Sequence, residues 1–342
     1  MAAGLTVPGR NMWIGLGIQT FPSTVAVIFS YLQPTEVGGF LEEFENIESE
    51  RRLGTRFSGL PYVGTKSIPF NFTVEVNPGD LGRILLACMG QEYSTPSVTS
   101  VVHNHIFRFS AVVPYVTVLG YLGGVADASG SDRLMRITGA KIGQVTITGG
   151  IDDVLMVSVE GIGMVASAVT AANYTPAYTS EKPFFLNANP GTGTLSVGSA
   201  ILTAALFEEA RSFELTINNG VATDHRIHGS ATPVGISEGG SEVTGKLTAI
   251  FNQNTFTEIN NFAAGNDRAV TLTATAAATT YSLPTTYAAL ELGLQKCRYS
   301  GDAPSYDPDV ITVELPFKVE VSLTSTYISL KNNFTLPYSA AV

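Results

Sequence analysis

Residues 64–77 read GTKSIPFNFTVEVN and residues 239–252 read GGSEVTGKLTAIFN. Each opens on glycine, alternates apolar with polar side chains, and closes on asparagine. In the first stretch Phe70, Phe72, Val74 and Val76 fall on one side, with Asn71, Thr73 and Glu75 on the other. In the second, Leu247, Ala249 and Phe251 oppose Lys246 and Thr248, and Ile250 alone breaks the alternation. Such a period of two marks a strand with one covered face and one wet face.

The two stretches belong to a longer repeat. At a constant offset of 175, Arg51 matches Arg226, Gly54 matches Gly229, Gly64 matches Gly239, and Thr73 matches Thr248. Asn77 with Asn252, Ile84 with Ile259, and Gly90 with Gly265 continue the series without a gap. A short helix is predicted after each strand. In NPGDLGRILLACMG, Asn77 can cap, Pro78 suits the first turn, and Gly90 can end the helix. Leu81, Ile84, Leu85 and Cys88 then make a core-facing stripe, repeated by Phe256, Ile259 and Ala263 with Gly265 as the stop. A further strand recurs at offset 156, DDVLMVSVEGIGM (152–164) against PDVITVELPFKVE (308–320). The expected organisation is a first β domain over residues 1–167, a linker over 168–200, and a second β domain over 201–342.

Composition narrows the class. The 342 residues are 44% hydrophobic and 14% charged, which argues against disorder. The formal net charge of −10 comes with no Lys/Arg run, so tight nucleic-acid binding is excluded. Cys88 and Cys297 form no disulfide framework or metal spacing and are expected to be buried thiols of a reducing compartment. No charged region precedes an apolar stretch at the N-terminus, so no secretory signal is expected. Residues 11–35 carry no charge, yet Gly15, Gly17, Gln19, Thr20, Pro22, Ser23 and Thr24 argue for short extended segments over a membrane span.

In the second half the strand FELTINNG leads into DHRIHGSATPVGISEGG, then the alternating strand and the glycine-stopped helix. Over most of residues 36–325 this pattern resembles a siphophage major tail tube protein of the fused, two-domain type. The resemblance implies a mainly β fold of two tandem β-sandwich or half-barrel domains, each flanked by a short α-helix. It implies trimeric, pseudo-hexameric rings that stack into a tube around a tape measure protein. Tail terminator and baseplate or distal tail proteins would cap the ends. Double-stranded DNA would pass through transiently. It further implies a virion protein assembled in the host cytoplasm, with no enzyme activity, no cofactor and no membrane partner.

Within that frame, the wet side of the repeated strands nominates a lumen surface: Thr73, Glu75, Ser158, Glu160, Thr248, Glu314, Lys318 and Glu320. The charged loop EEFENIESERR (42–52) reads either as a solvated loop or as a contact between stacked rings. The second reading nominates Glu48, Glu50, Arg51, Arg52 and Arg56, with Asp224, Arg226 and Glu238 from the counterpart loop.

No catalytic or metal residues are assigned. The HNH at 103–105 reads as two polar positions beside the strand HIFRFS (105–110), and His225, His228 and Asp224 as surface groups of a long loop. The GLG at 15–17 lacks a third glycine, no Gly-x-Ser-x-Gly elbow is present, and Asp152 and Asp153 read as turn residues. The alternative is a two-domain β adhesin or carbohydrate-binding module, for which the single Trp13 offers little aromatic platform.

Overall fold

The computed structural model describes residues 12–47, 62–96, 102–121, 133–151, 153–178, 183–184, 193–198, 205–206, 210–223, 230, 232–280, 287–299, 311–322, 326–334 and 337–338. The first half holds β1 (Trp13–Ile18), β2 (Ser30–Leu32), β3 (Pro34–Gly39), β4 (Glu43–Ile47), β5 (Tyr62–Glu75) and α1 (Leu81–Met89). There follow β6 (Gly90–Pro96), β7 (His103–Phe109), β8 (Val116–Tyr121), β9 (Arg133–Gly150), β10 (Met156–Gly163) and β11 (Val165–Thr170). The second half holds β12 (Gly193–Gly198), β13 (Ala205–Leu206), β14 (Ala210–Asn218), β15 (Glu242–Ile250) and α2 (Gln253–Ala263). It ends with β16 (Arg268–Thr280), β17 (Tyr287–Tyr299), β18 (Thr312–Val319) and β19 (Thr326–Asn332). The fold is mainly β and antiparallel.

One long sheet runs β3, β5, β10, β9, β14, β15, β18, and the end of β17 adds an eighth member. The alternation read from sequence puts one set of side chains inward. Phe70, Phe72, Val74, Val145, Ile147, Val157 and Val159 are buried, as are Phe213, Leu215, Ile217, Val243, Leu247, Val313 and Leu315. Against this face lie β1 and β8, which contribute Ile14, Leu16, Val116 and Val118 to the same core, and β16 and β17, which contribute Leu272, Leu290 and Leu292. Burying an aliphatic or aromatic side chain of this size is worth about 1.5–3 kcal/mol, so the covered face supplies most of the cohesion.

The strand registers carry the repeat. Thr73 lies opposite Ser158, and their counterparts Thr248 and Glu314 lie opposite each other. Pro34 pairs with Val74 and Ala210 with Ala249, and both ladders then slip by one residue at the same place. Beyond the sheet, the pair Ile47 and Tyr62 recurs as the bridge between Ala222 and Ser237. The first copy holds one extra residue between these points, at Gly39 and Phe40, which both take positive φ. The halves meet in the sheet through β9 and β14, with Gly150 opposite Ser212 and Gln144 opposite Asn218.

Three local expectations need correction. Asn77 does not cap α1. Its Oδ1 accepts the Asp80 N–H at 3.1 Å, a turn that delays the helix to Leu81. The α2 stripe repeats the α1 stripe only at Ile259, which packs against the core. Phe256 is 47% exposed and Ala263 is also exposed, while Thr255 is buried and donates to the Ile250 carbonyl. The stretch 168–200 is not a featureless connector, because it contains the end of β11 and all of β12. The two glycine stops are as expected, with Gly90 at φ 89 and Gly265 at φ 71. Among the described residues, no helix is long and apolar enough to cross a membrane.

Candidate functional site

The wet face of the long sheet is a grid of polar residues. Residues paired in register on neighbouring antiparallel strands share a face. One row therefore runs Glu36, Thr73, Ser158, Thr146, Thr216, Thr244, Lys318 across seven strands. The next runs Glu75, Met156, Thr148, Glu214, Lys246, Pro316, and a third runs Asn71, Glu160, Gln144, Asn218, Glu242. Thr248 and Glu314 belong to a row with Gly150 and Ser212. Of the eight residues nominated from sequence, seven thus lie on one continuous face. Glu320 falls just past β18, at the rim, where it pairs with Lys296 at 3.2 Å.

Hydroxyls tie the grid together. Thr73 Oγ1 and Ser158 Oγ are 2.9 Å apart, and Thr146 Oγ1 and Thr216 Oγ1 are 3.1 Å apart. Lys246 meets Glu314 at 3.4 Å, both half-buried, and Lys318 meets Glu242 at 2.5 Å, both exposed. Exposed pairs of this kind contribute under about 1 kcal/mol each. Acids dominate the described grid, with Glu36, Glu75, Glu160, Glu214, Glu242 and Glu314 against Lys246, Lys318 and Arg298. Sequence reasoning missed β9 and, although it read FELTINNG as a strand, nominated none of the outward residues of β14. The alternations QVTITG (144–149) and SFELTIN (212–218) were the available signal.

The nominated loop residues fare differently. Glu48, Glu50, Arg51, Arg52, Arg56, Asp224 and Arg226 lie outside the described residues. Glu238 is a correction. It does not reach outward, because its Oε1 pairs with Lys141 and its Oε2 accepts the Val113 N–H at 3.1 Å. Lys141 is only 4% exposed, and its ammonium also sits 4.4 Å from the Tyr115 ring centroid. A buried ammonium needs such partners, so the loop of the second half is clamped onto the first.

Other chemistry is sparse. His103 and Asn104 lie inside β7 rather than beside it, and His105 of the same strand is fully buried, with Nδ1 2.7 Å from Glu92 Oε1. Its Nε2 donates to the Phe334 carbonyl at 2.9 Å. This bond ties the C-terminal segment to the β6–β7 hairpin. Among the described residues no group of three His, Cys, Asp or Glu side chains is placed to hold a metal ion. Burial pushes the thiols of Cys88 and Cys297 up to about 12, the reverse of what a nucleophile needs. Trp13 is 5% exposed, flanked by Tyr31 and Tyr121, so it offers no open stacking platform.

A long amphipathic sheet with an acidic, hydroxyl-rich face and a core-packed back defines a mainly β structural protein. Residues 9–319 match the family model of the phage tail tube protein, and the chain belongs to that family. It is accordingly a structural component of the virion tail, assembling with itself and with other tail components. No curated protein matches the chain.

Proposed function

We propose that three copies of this chain close into a ring, and that stacked rings form a tube through which the genome is delivered. The observation that carries this reading is the junction of β9 with β14. Within one chain, the last wall strand of the first repeat pairs with the first wall strand of the second. At the free ends of the same sheet stand the counterparts of those two strands, the edge of β3 and the end of β17. Repeating the internal junction between copies extends the wall, and a closed wall removes edges that would otherwise pair promiscuously.

Magnitudes favour three copies. Eight wall strands per copy give twenty-four, which at about 4.8 Å spacing and about 40° tilt make a circumference of roughly 150 Å. The backbone diameter is then roughly 48 Å, and side chains leave on the order of 35–40 Å. Two copies would leave only about 20 Å, the width of a duplex itself. The polar grid, on this reading, is the lumen. Thr73, Glu75, Ser158, Glu160, Thr248, Glu314 and Lys318 line it, with Glu320 at its rim. An acidic wall repels phosphates, so DNA passes without sticking. Each repeat acts as one domain on this reading, and membership of the family supports tape measure, terminator and distal tail proteins as partners, met in the host cytoplasm.

Cysteine pairing tests the ring. The counterparts of Ser212 and Gly150 are Glu36 and Asp307, the latter outside the described residues. Glu36→Cys with Asp307→Cys should give a closed covalent trimer on a non-reducing gel of oxidised assemblies. Monomers alone, or an open-ended ladder, would overturn the reading.

A further inference from the structure

The two helices are related by the repeat but differ in what covers them. All nine residues of α1 are buried. Strands β1, β6, β7 and β9 of its own half pack on it, and further cover comes from the second half of the chain. Asn332 Nδ2 donates to the Pro78 carbonyl at 2.7 Å, and the Tyr338 ring lies so close that a Cβ on Gly82 would meet it at 2.1 Å. At the other end Asn219, 2% exposed, donates to the carbonyls of Cys88 at 2.9 Å and Ile142 at 3.3 Å. Beside it lies the Lys141, Tyr115 and Glu238 clamp.

The same positions in the second half stand open. The counterpart of Cys88 is Ala263, which is exposed. By register, Lys141 corresponds to Arg298 and Tyr115 to Asp267. Arg298 Nε donates to Asp267 Oδ1 at 2.5 Å, with 66% and 38% of those side chains exposed, where Lys141 is buried and Tyr115 half-buried. The mate is also visible. The counterpart of Asn219 is Phe44 on β4, a large apolar side chain left 54% exposed. An uncovered socket and an uncovered aromatic knob stand where the internal junction has a filled socket and a buried side chain.

We infer that Phe44 of one copy docks against the C-terminal end of α2 of the next, between Ala263 and the Asp267–Arg298 pair. The partner is a second copy of this chain, so the inference rests on the ring reading and adds the contact that anchors it. An aromatic side chain at the centre of an interface, closed by a charged rim, is the usual form of a binding hot spot. The ion pair supplies that rim, at the place that Lys141 and Tyr115 hold inside the chain. Asn219 at this site bonds two backbone carbonyls, which fits a junction formed once on folding. Phe44 offers area instead, which suits a contact formed on association.

Two experiments bear on this. Phe44→Ser should leave the monomer's melting temperature and circular dichroism unchanged, since the side chain is half exposed, and raise the concentration needed for assembly roughly tenfold or more. Unchanged assembly would overturn the inference. Separately, Phe44→Cys with Ala263→Cys, treated with a short thiol cross-linker, should link neighbouring copies into trimers. The Glu36 and Asp307 cysteine pair serves as the control. If the control links and the Phe44 pair does not, the ring stands and this contact falls. If neither links, both fall, and a link confined to single chains also refutes it.

Discussion

The ring of Phe317 lies over Gly245 on the opposite strand, where a Cβ would come within 2.3 Å of Cζ. The first repeat inverts the pair: Phe70 covers Gly161 at the same 2.3 Å. In both copies one site holds an aromatic ring and a void to receive it, but the strands have exchanged roles. The constraint is on the volume of the pair, which the packing density of a protein interior makes strict.

Gly245→Val should therefore destabilise the protein by about 1–3 kcal/mol, the usual cost of overpacking. The double exchange Gly245→Phe with Phe317→Gly, copying the first repeat, should recover much of the loss. Urea midpoints at constant slope measure both. A double variant no better than the single one would show that the site is not a volume pair.

Removing Glu238 should be costly, because it takes from the buried Lys141 ammonium its one carboxylate partner among the described residues and leaves the Tyr115 ring beside it. Glu238→Ala is expected to lose about 3 kcal/mol of stability, and Glu238→Leu with Lys141→Met much less. The equilibrium unfolding curves of the two variants decide it.

Cys88 and Cys297 should resist alkylation at pH 8 in the folded protein and react on unfolding, since the reactive species is the thiolate. Both thiols are held up to about 12 by burial, with the Asn219 bond opposing at Cys88. An unfolded thiol titrates near about 8.5. The folded state thus retains protons that the unfolded state releases, so this stabilisation is complete below about pH 8 and declines as pH rises toward 12. Replacing both with alanine should flatten that part of the stability profile.

Changing Glu75, Glu160 and Glu314 together to lysine should permit assembly, because all three lie on the wet face and none contributes to the core. It should slow DNA ejection, more at low salt than at high, by ringing the channel with phosphate-binding charge. Normal ejection at low salt would remove these residues from the lumen.

Some of this was legible in particular residues. The alternation from Phe70 to Val76 and from Leu247 to Phe251 gave strand, face and repeat together, and Gly90 and Gly265 marked both helix ends. Phe256 misled, because an apolar residue at helical spacing reads as core whether its cover comes from the same chain or from elsewhere. Glu238 misled for the opposite reason: an acid in a glycine-rich loop reads as solvated until a buried lysine is brought beside it.

The sequence by itself determined the strands and their two faces, because these depend on side chains two to four residues apart, and the twofold repeat, because such local patterns can be matched at a fixed offset. Only the tertiary structure decided that β9 joins β14, that Asn219 closes over α1, and that α2 and Phe44 are left uncovered. Those outcomes depend on segments more than fifty residues apart in the chain, and no local period records which of two similar surfaces such a segment will reach.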